Sequence, residues 1–385
     1  MASGPMPSPG SRKRLRAVMK PSWKNKLRLL SPRKWAFQAR EGLNRYASPP
    51  AAMVAPEPAN GLERSPPFYF PDILPWPFTR LHLDTPLFRT APDYSASGKP
   101  LWLKLDALQP SGSFKLRGVG RLCQHEVENG AREIFCASGG NAGIAAAYAG
   151  RALGVPVTIV VPETTAADVR QTIAATGANV LVHGAVFDEA NAHAVELARS
   201  RKASYVHPFD HPLLWDGHAT LIDEVVAKGA EFDCVVTSVG GGGLLAGIVE
   251  GLKRNGLPDV PVIAVETEGA ASLHESLKAN ERITLPAITS IATSLGARQV
   301  AQHVFDLPKQ HPIESVLVSD ADAVAACLKF ADAQRILVEP ACGAALAAAD
   351  VHAGLLARFD NPLIEVCGGI GVSLEKLRLW KEKFL

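Results

Sequence analysis

No apolar run in this chain approaches the roughly 18 residues that a membrane-crossing helix needs, so no membrane span is expected. None of the six cysteines stands at CxxC spacing. Cys123, Cys136, Cys234, Cys327, Cys342 and Cys367 fall mostly in apolar segments. That argues against a zinc knuckle or a disulfide frame and for a reduced intracellular chain. No repeat recurs at a period of roughly 20–50 residues, which sets aside solenoids and propellers. Acid is nearly absent from residues 1–46, where Glu41 stands alone among twelve Lys and Arg. The rest of the chain holds 28 basic and 37 acidic residues, so the net charge of +2 conceals an acidic body with a basic arm. The arm has no recognisable nucleic-acid-binding motif, and no nucleic-acid partner is expected. Arg-rich, Ser-containing and acid-poor, it reads as a disordered tail, a mis-assigned start or a mitochondrial presequence, and these stay open.

What is present is enough for a large core. Of 385 residues, 47% are hydrophobic and 32 are glycine, which suits two lobes. Residues 47–78 turn to Pro, Ala and Ser, with Pro49-Pro50, Pro66-Pro67 and Pro75-Trp76-Pro77. Residues 1–78 are therefore expected to be a basic, then Pro-rich, disordered extension. Beyond it, strands are predicted at Leu101–Asp106, Glu133–Ala137, Val157–Val161, Asn179–His183, Cys234–Val239, Val260–Glu266 and Leu363–Cys367. Helices are predicted at Asn141–Leu153, Thr165–Thr176, Phe187–Arg201, Leu213–Gly229, Leu244–Asn255, Asp320–Gln334, Ala344–Leu356 and Ser373–Phe384. This alternation is the signature of a parallel α/β sheet with helical crossovers.

Three strand-to-helix turns carry chemistry. Pro110-Ser111-Gly112-Ser113-Phe114-Lys115 puts a lysine where a helix starts, with Ser113 as the predicted N-cap. A lysine there reaches a cleft beside the sheet, and desolvation would lower its pKa and free its amine to attack an aldehyde. A solvated first-turn lysine is the plain alternative. Ser138-Gly139-Gly140-Asn141 brings backbone N–H groups together at a helix N-terminus, which suits a carboxylate or phosphate; a tight turn is the competing reading. Gly240-Gly241-Gly242-Gly243 spends four glycines between strand and helix, which packing alone explains poorly and a nest of N–H groups around a phosphate explains better. Gly241 to Ala246 also fits GxGxxA with Glu266 ending the next strand, so a nicotinamide dehydrogenase competes. Cys367, before Gly368-Gly369, is expected to face the cleft, although a buried structural thiol is the ordinary reading.

Ser113-Phe114-Lys115-Leu116-Arg117-Gly118, the asparagine loop and the tetraglycine run resemble, in order and spacing, the fold-type-II pyridoxal-phosphate enzymes. Pro208-Phe209-Asp210, Ile288-Thr289-Ser290, the run Glu339 to Ala348 and Cys367-Gly368-Gly369 are similar to the serine dehydratase (L-serine/L-threonine ammonia-lyase) family. The likeness begins near Leu83 and leaves the first eighty or so residues uncovered. It implies a tryptophan-synthase β-like α/β architecture with the cofactor in a cleft between two open parallel-sheet domains. Residues 79–108 and 211–385 would form the larger domain and residues 109–210 the smaller. It implies pyridoxal 5′-phosphate (PLP) as cofactor, a small amino-acid substrate, a homodimer and a cytoplasmic role in amino-acid breakdown feeding gluconeogenesis. Carried over by position, Lys115 is the Schiff-base lysine, Phe114 stacks on the ring, Asn141 meets the ring hydroxyl and Cys367 the ring nitrogen. Gly240, Gly241, Gly242 and Gly243 cradle the phosphate. Ser138, Gly139 and Asn141 hold the substrate carboxylate. Glu266, Ala270 and Ser272 match positions that ligate a monovalent cation such as K+.

The implied reaction is α,β-elimination through an aminoacrylate, giving pyruvate from serine and 2-oxobutanoate from threonine. Two departures from the family pattern stand near the cleft: Ile370-Gly371 replaces a common Ser-Asn pair, and Gly139 replaces a common Ala. Gly139 offers no side chain opposite the lysine, so the sequence expects elimination without racemisation. Within the fold, threonine deaminase, serine racemase and β-replacement synthase are alternatives. The chain stops twelve residues after Ser373, leaving no room for a threonine deaminase regulatory domain. A catalytically dead homologue tethered by its basic arm is a further reading, which the retained Lys115 argues against.

Overall fold

The computed structural model describes residues 80–385 together with Met1; the expected extension over residues 1–78 lies otherwise outside the described residues. Two sheets organise the chain. The larger is six-stranded in the order β1 (Leu87–Arg89), β2 (Trp102–Lys104), β10 (Pro362–Glu365), β7 (Cys234–Ser238), β8 (Val262–Thr267) and β9 (Ile313–Val318). The smaller is four-stranded in the order β5 (Asn179–Val182), β4 (Val157–Val161), β3 (Ile134–Cys136) and β6 (Ser204–Val206). All pairings are parallel except β1 with β2. The parallel strands are buried throughout where helices cover both faces: all five residues of β4 and all five of β7 are buried, Thr158, Thr237 and Ser238 included.

The connecting helices are α1 (Lys115–Glu128), α2 (Asn141–Leu153), α3 (Ala167–Ala175), α4 (Phe187–Arg201), α5 (Pro212–Ala227), α6 (Gly243–Arg254) and α7 (Ser272–Ala279). They continue with α8 (Gln302–Asp306), α9 (Asp320–Gln334), α10 (Pro340–Val351), α11 (Ala353–Leu356) and α12 (Leu374–Phe384). No described helix is long and apolar enough to cross a membrane.

Several expectations need correction. Ser113 does not cap α1. The N-cap is Phe114, without a side-chain bond, because Ser113 is drawn into a bridge with Gly368. The predicted strand Leu101–Asp106 shrinks to β2, since Asp106 already opens a 3-10 turn through Leu108. Pro340 at the first helical position starts α10 four residues before the predicted Ala344. Cys367 falls beyond the end of β10. β6, α7 and β9 were not predicted at all.

Beneath the cleft lies a buried ionic cluster. Arg117, in the first turn of α1, grips Asp106 through Nε and Nη2 and Glu224 of α5 through Nη1 and Nη2. Lys104 of β2 also donates to Glu224 and to the Thr85 carbonyl. Burial pushes the Asp106 carboxyl up, but the Arg117 guanidinium outweighs it and holds it below the usual carboxylate range. Arg117, Lys104 and Asp106 have no exposed surface. This cluster ties the first turn of α1, and with it Lys115, to the large sheet.

Candidate active site

Lys115 is the first residue of α1, and its turn is stitched to the C-terminal glycine turn. Phe114 N donates to Cys367 O (3.0 Å) and Gly369 N donates to Gly112 O (2.8 Å). Gly112 and Gly368 both hold positive φ, which glycine tolerates. Lys115 Nζ donates to Pro208 O at 2.7 Å. Burial brings its pKa down from 10.5 to about 8, against the pull of Cys136, Cys367 and Glu339. The plain solvated lysine is therefore excluded. A primary amine that loses its proton near neutrality is a nucleophile for an aldehyde and a base for a C–H proton. The Phe114 ring lies 5.1 Å from that amine and 4.9 Å from the ring of buried His218.

A pH dependence follows. Only the neutral amine captures an aldehyde, and a depressed pKa means the neutral form grows as pH rises toward about 8. Covalent uptake of PLP by the cofactor-free protein should quicken about tenfold between pH 6 and 7, then level off above 8. Stopped-flow absorbance checks this; a rate still climbing tenfold per unit at pH 10 would show an unperturbed lysine.

The tetraglycine run closes β7 onto α6. The hydrogen bonds of the described residues leave the N–H groups of Gly240, Gly241 and Gly242 without an acceptor. Gly243 begins α6, whose N-terminus adds partial positive charge. Packing accounts for more of these glycines than the sequence suggested. A Cβ on Gly241 would lie 2.4 Å from the Phe209 ring, and one on Gly243 2.6 Å from Phe209 O. One on Gly242, at φ +92°, would lie 2.5 Å from Val304. Side chains there would disrupt the protein before they met any phosphate.

Asn141 opens α2 and reads across the cleft. Its Nδ2 donates to Glu339 Oε1 (2.8 Å) and Ser294 Oγ (3.4 Å), and its Oδ1 accepts from Ile370 N (3.0 Å). Ser138 Oγ accepts from Gly140 N at 3.3 Å. A Cβ on Gly139 would press on Thr165 at 3.1 Å. Gly139, Asn141, Ser294, Glu339, Ile370 and Gly371 line a cavity of about 410 Å³. Lys115, Phe114, the tetraglycine turn and Cys367 are not part of that lining. Cys367 is buried, and a hydrogen bond with Cys342 together with burial keeps its thiol well above the ordinary range.

Glu266, Ala270 and Ser272 gather elsewhere, between β8 and α7. Glu266 accepts from Leu273 N (2.9 Å) and His274 N (2.7 Å), yet burial lifts its pKa to about 8. Ser272 Oγ is buried without a partner among the described residues. An orphan hydroxyl beside a buried carboxyl fits a bound cation.

Two cleft residues escaped the sequence reading. Glu339 stood out only as part of a motif, and a Glu before Pro reads as a helix cap; its side chain makes no cap bond and turns into the cleft. Ser294 sits in the short turn Thr293–Leu295, where no periodicity marks it. Gly369 and Gly371 were the available signal, because neither leaves room for a Cβ beside the Glu339 carboxyl. Gly139 is bare, and Ser294 and Glu339 bring a hydroxyl and a carboxyl to the cavity it lines.

A softened amine, unsatisfied N–H groups at a helix N-terminus and an asparagine amide form a donor set that suits a phosphorylated aldehyde. Comparison with known proteins agrees. Residues 78–368 match the family model described as "Pyridoxal-phosphate dependent enzyme". The human protein "Serine dehydratase-like" is 45% identical over 315 residues, covering 78% of this chain and 94% of that one. The bovine "L-serine dehydratase/L-threonine deaminase" is 46% identical over 315 residues, covering 79% and 96%. The crystal structure of a fungal L-serine ammonia-lyase from Rhizomucor miehei superposes with a TM-score of 0.75 at 34% identity, covering 80% and 100%. With its two open sheets, its lysine at the start of α1 and these relatives, the chain belongs to the pyridoxal-phosphate-dependent enzymes and, among them, to the serine dehydratase family.

Proposed function

We infer that this chain is a PLP-dependent ammonia-lyase that converts L-serine to pyruvate and L-threonine to 2-oxobutanoate, each with ammonia. The observation that carries this reading is Lys115, a partly buried amine with its pKa lowered to about 8, bonded to Pro208 O next to Phe209, which packs on the glycine turn whose N–H groups lack acceptors among the described residues. When bound, PLP supplies a carbonyl for the substrate amine and a ring that stabilises negative charge at Cα.

The remaining roles belong to the chain. The N–H groups of Gly240 to Gly243 would hold the phosphate, Phe114 would cover the ring, Asn141 would meet its hydroxyl and Cys367 its nitrogen. Ser138, Gly139 and Asn141 orient the substrate carboxylate, which fixes the Cα–H bond against Lys115. Lys115 takes that proton as a general base. A thiol at the ring nitrogen leaves the ring less charged than a carboxylate would, which favours prompt loss of the β-hydroxyl over reprotonation.

We also place K+ at Glu266, Ala270 and Ser272, a lobe boundary near residues 109 and 210, a homodimer, and a cytoplasmic role in amino-acid breakdown. The split of strands between the two sheets supports the boundary: β3 to β6 form one and the other six strands the other. Removing residues 1–78, which hold none of these groups, should leave the rate within about twofold. Loss of most activity on truncation would show that the extension packs on the body. The reading itself is tested by spectroscopy. A visible absorbance band of the purified protein, discharged by L-serine with pyruvate release, supports it; a nicotinamide spectrum would replace it with a dehydrogenase.

A further inference from the structure

Glycines in two different helices make room for one imidazole. His218, on α5, has no exposed surface. A Cβ on Gly118 of α1 would lie 2.6 Å from its Cε1 and Nε2, and one on Gly247 of α6 would lie 2.4 Å from its Cβ. The helix α1 starts at Lys115, and α6 starts at Gly243, the last of the tetraglycine run. His218 therefore stands where the lysine-bearing helix and the helix of the glycine turn both lean on α5.

The imidazole also reaches the site itself. Its centroid is 4.9 Å from that of the Phe114 ring, with the two planes tilted by 52°. The Lys115 amine lies 5.1 Å from the same phenyl ring. Phe114 and Gly118 are four positions apart, so they share one face of the helix. The imidazole fills the gap that Gly118 leaves beside Phe114. Aromatic rings at this separation and tilt fix each other's orientation, the electropositive edge of one toward the face of the other.

Neither nitrogen of His218 has a hydrogen-bond partner among the described residues. Burial, aided by the Lys115 and Arg117 charges, holds the imidazole neutral, well below the ordinary histidine range. A buried polar group without a partner costs stability, and an apolar side chain of similar size would remove that cost. A polar ring kept in such a place points to a task other than stabilising the core.

We propose that His218 is a positioning residue for the reaction: its polar edge orients the Phe114 ring, and through Phe114 it sets the aim of the adjoining Lys115 amine. The proposal rests on the ammonia-lyase reading above, because what it serves is the capture of PLP by Lys115 and the removal of the Cα proton. His218 itself bonds neither substrate nor cofactor and moves no proton. It acts on geometry, and a small misplacement of a reacting group costs rate without altering its pKa.

The test compares wild type with His218→Gln, which keeps a flat polar edge, and His218→Leu, which fills the space with carbon alone. Covalent uptake of PLP by the cofactor-free protein is followed across pH, kcat and KM for L-serine are measured on the PLP-loaded protein, and both forms are melted. His218→Leu should lower kcat and the plateau of PLP uptake about tenfold, with KM within about twofold. Uptake should still level off near pH 8, as the unchanged Lys115 pKa requires. The melting temperature of His218→Leu should equal or exceed that of wild type, and His218→Gln should recover most of both rates. If His218→Leu does not fold, His218→Met, longer and more pliant, takes its place under the same criteria. Wild-type uptake and kcat in His218→Leu overturn the proposal, and so does a His218→Gln as slow as His218→Leu. A fall in rate matched by lower melting temperatures in both variants overturns it too, since that marks a packing role. An unchanged plateau with the levelling-off moved in pH also overturns it, since that marks an effect of charge. Wild type that takes up PLP yet releases no pyruvate overturns the ammonia-lyase reading instead, and PLP uptake alone then decides the role of His218.

Discussion

Lys115→Ala should lower keto-acid release from L-serine by at least about a thousandfold while leaving the far-UV spectrum and melting temperature nearly unchanged. The substitution removes the covalent tether and the base at once. Lys115 is partly buried and makes a single bond, to Pro208 O, so the fold loses little. Lys376, which lines the cavity, cannot take over: it stands toward α3, 4.0 Å from Asp168, with 40% of its side chain exposed. The visible band should vanish with the activity. Appreciable turnover by PLP-loaded Lys115→Ala protein would remove the basis for assigning this lysine.

Arg117→Met should be the most damaging substitution for stability among the residues near the cleft. It strips Asp106 of its cation and leaves the carboxylate buried with Thr85 Oγ as its other partner. Glu224 keeps Lys104. Breaking one side of a buried ion pair costs about 3–5 kcal/mol, which lowers the melting temperature by roughly 4–6 °C in a chain of this size. Adding Asp106→Asn should recover part of the loss, because the uncompensated charge goes with it. A melting shift below about 2 °C for Arg117→Met, followed by circular dichroism, would mean that the cluster contributes little.

Much of the site was legible because it is local. A strand, a glycine-rich turn and a helix N-terminus are contiguous in sequence, so Lys115, Asn141 and Gly240 to Gly243 could be placed on their elements from pattern alone. The helices α2 and α4 start and stop where the sequence puts them, since Gly154 and Lys202 end them at positive φ. What was hidden is non-local. Asn141 meets Glu339 across 198 positions of chain and Ser294 across 153, and no periodicity links them. Ser113 failed as a cap for the same reason: its backbone answers to Gly368, far away in sequence. The tetraglycine run teaches the converse. Four glycines looked like a ligand's signature, yet Phe209 and Val304 already require three of them. The N–H groups those glycines leave without acceptors, rather than their number, speak for a phosphate.

The most direct measurement is the stoichiometry of product release by the purified, PLP-loaded protein given L-serine or L-threonine, with and without K+. The ammonia-lyase reading expects pyruvate or 2-oxobutanoate in equal amounts with ammonia, faster with K+ present. Keto acid without ammonia, or neither product from either amino acid while PLP remains bound through Lys115, would contradict it.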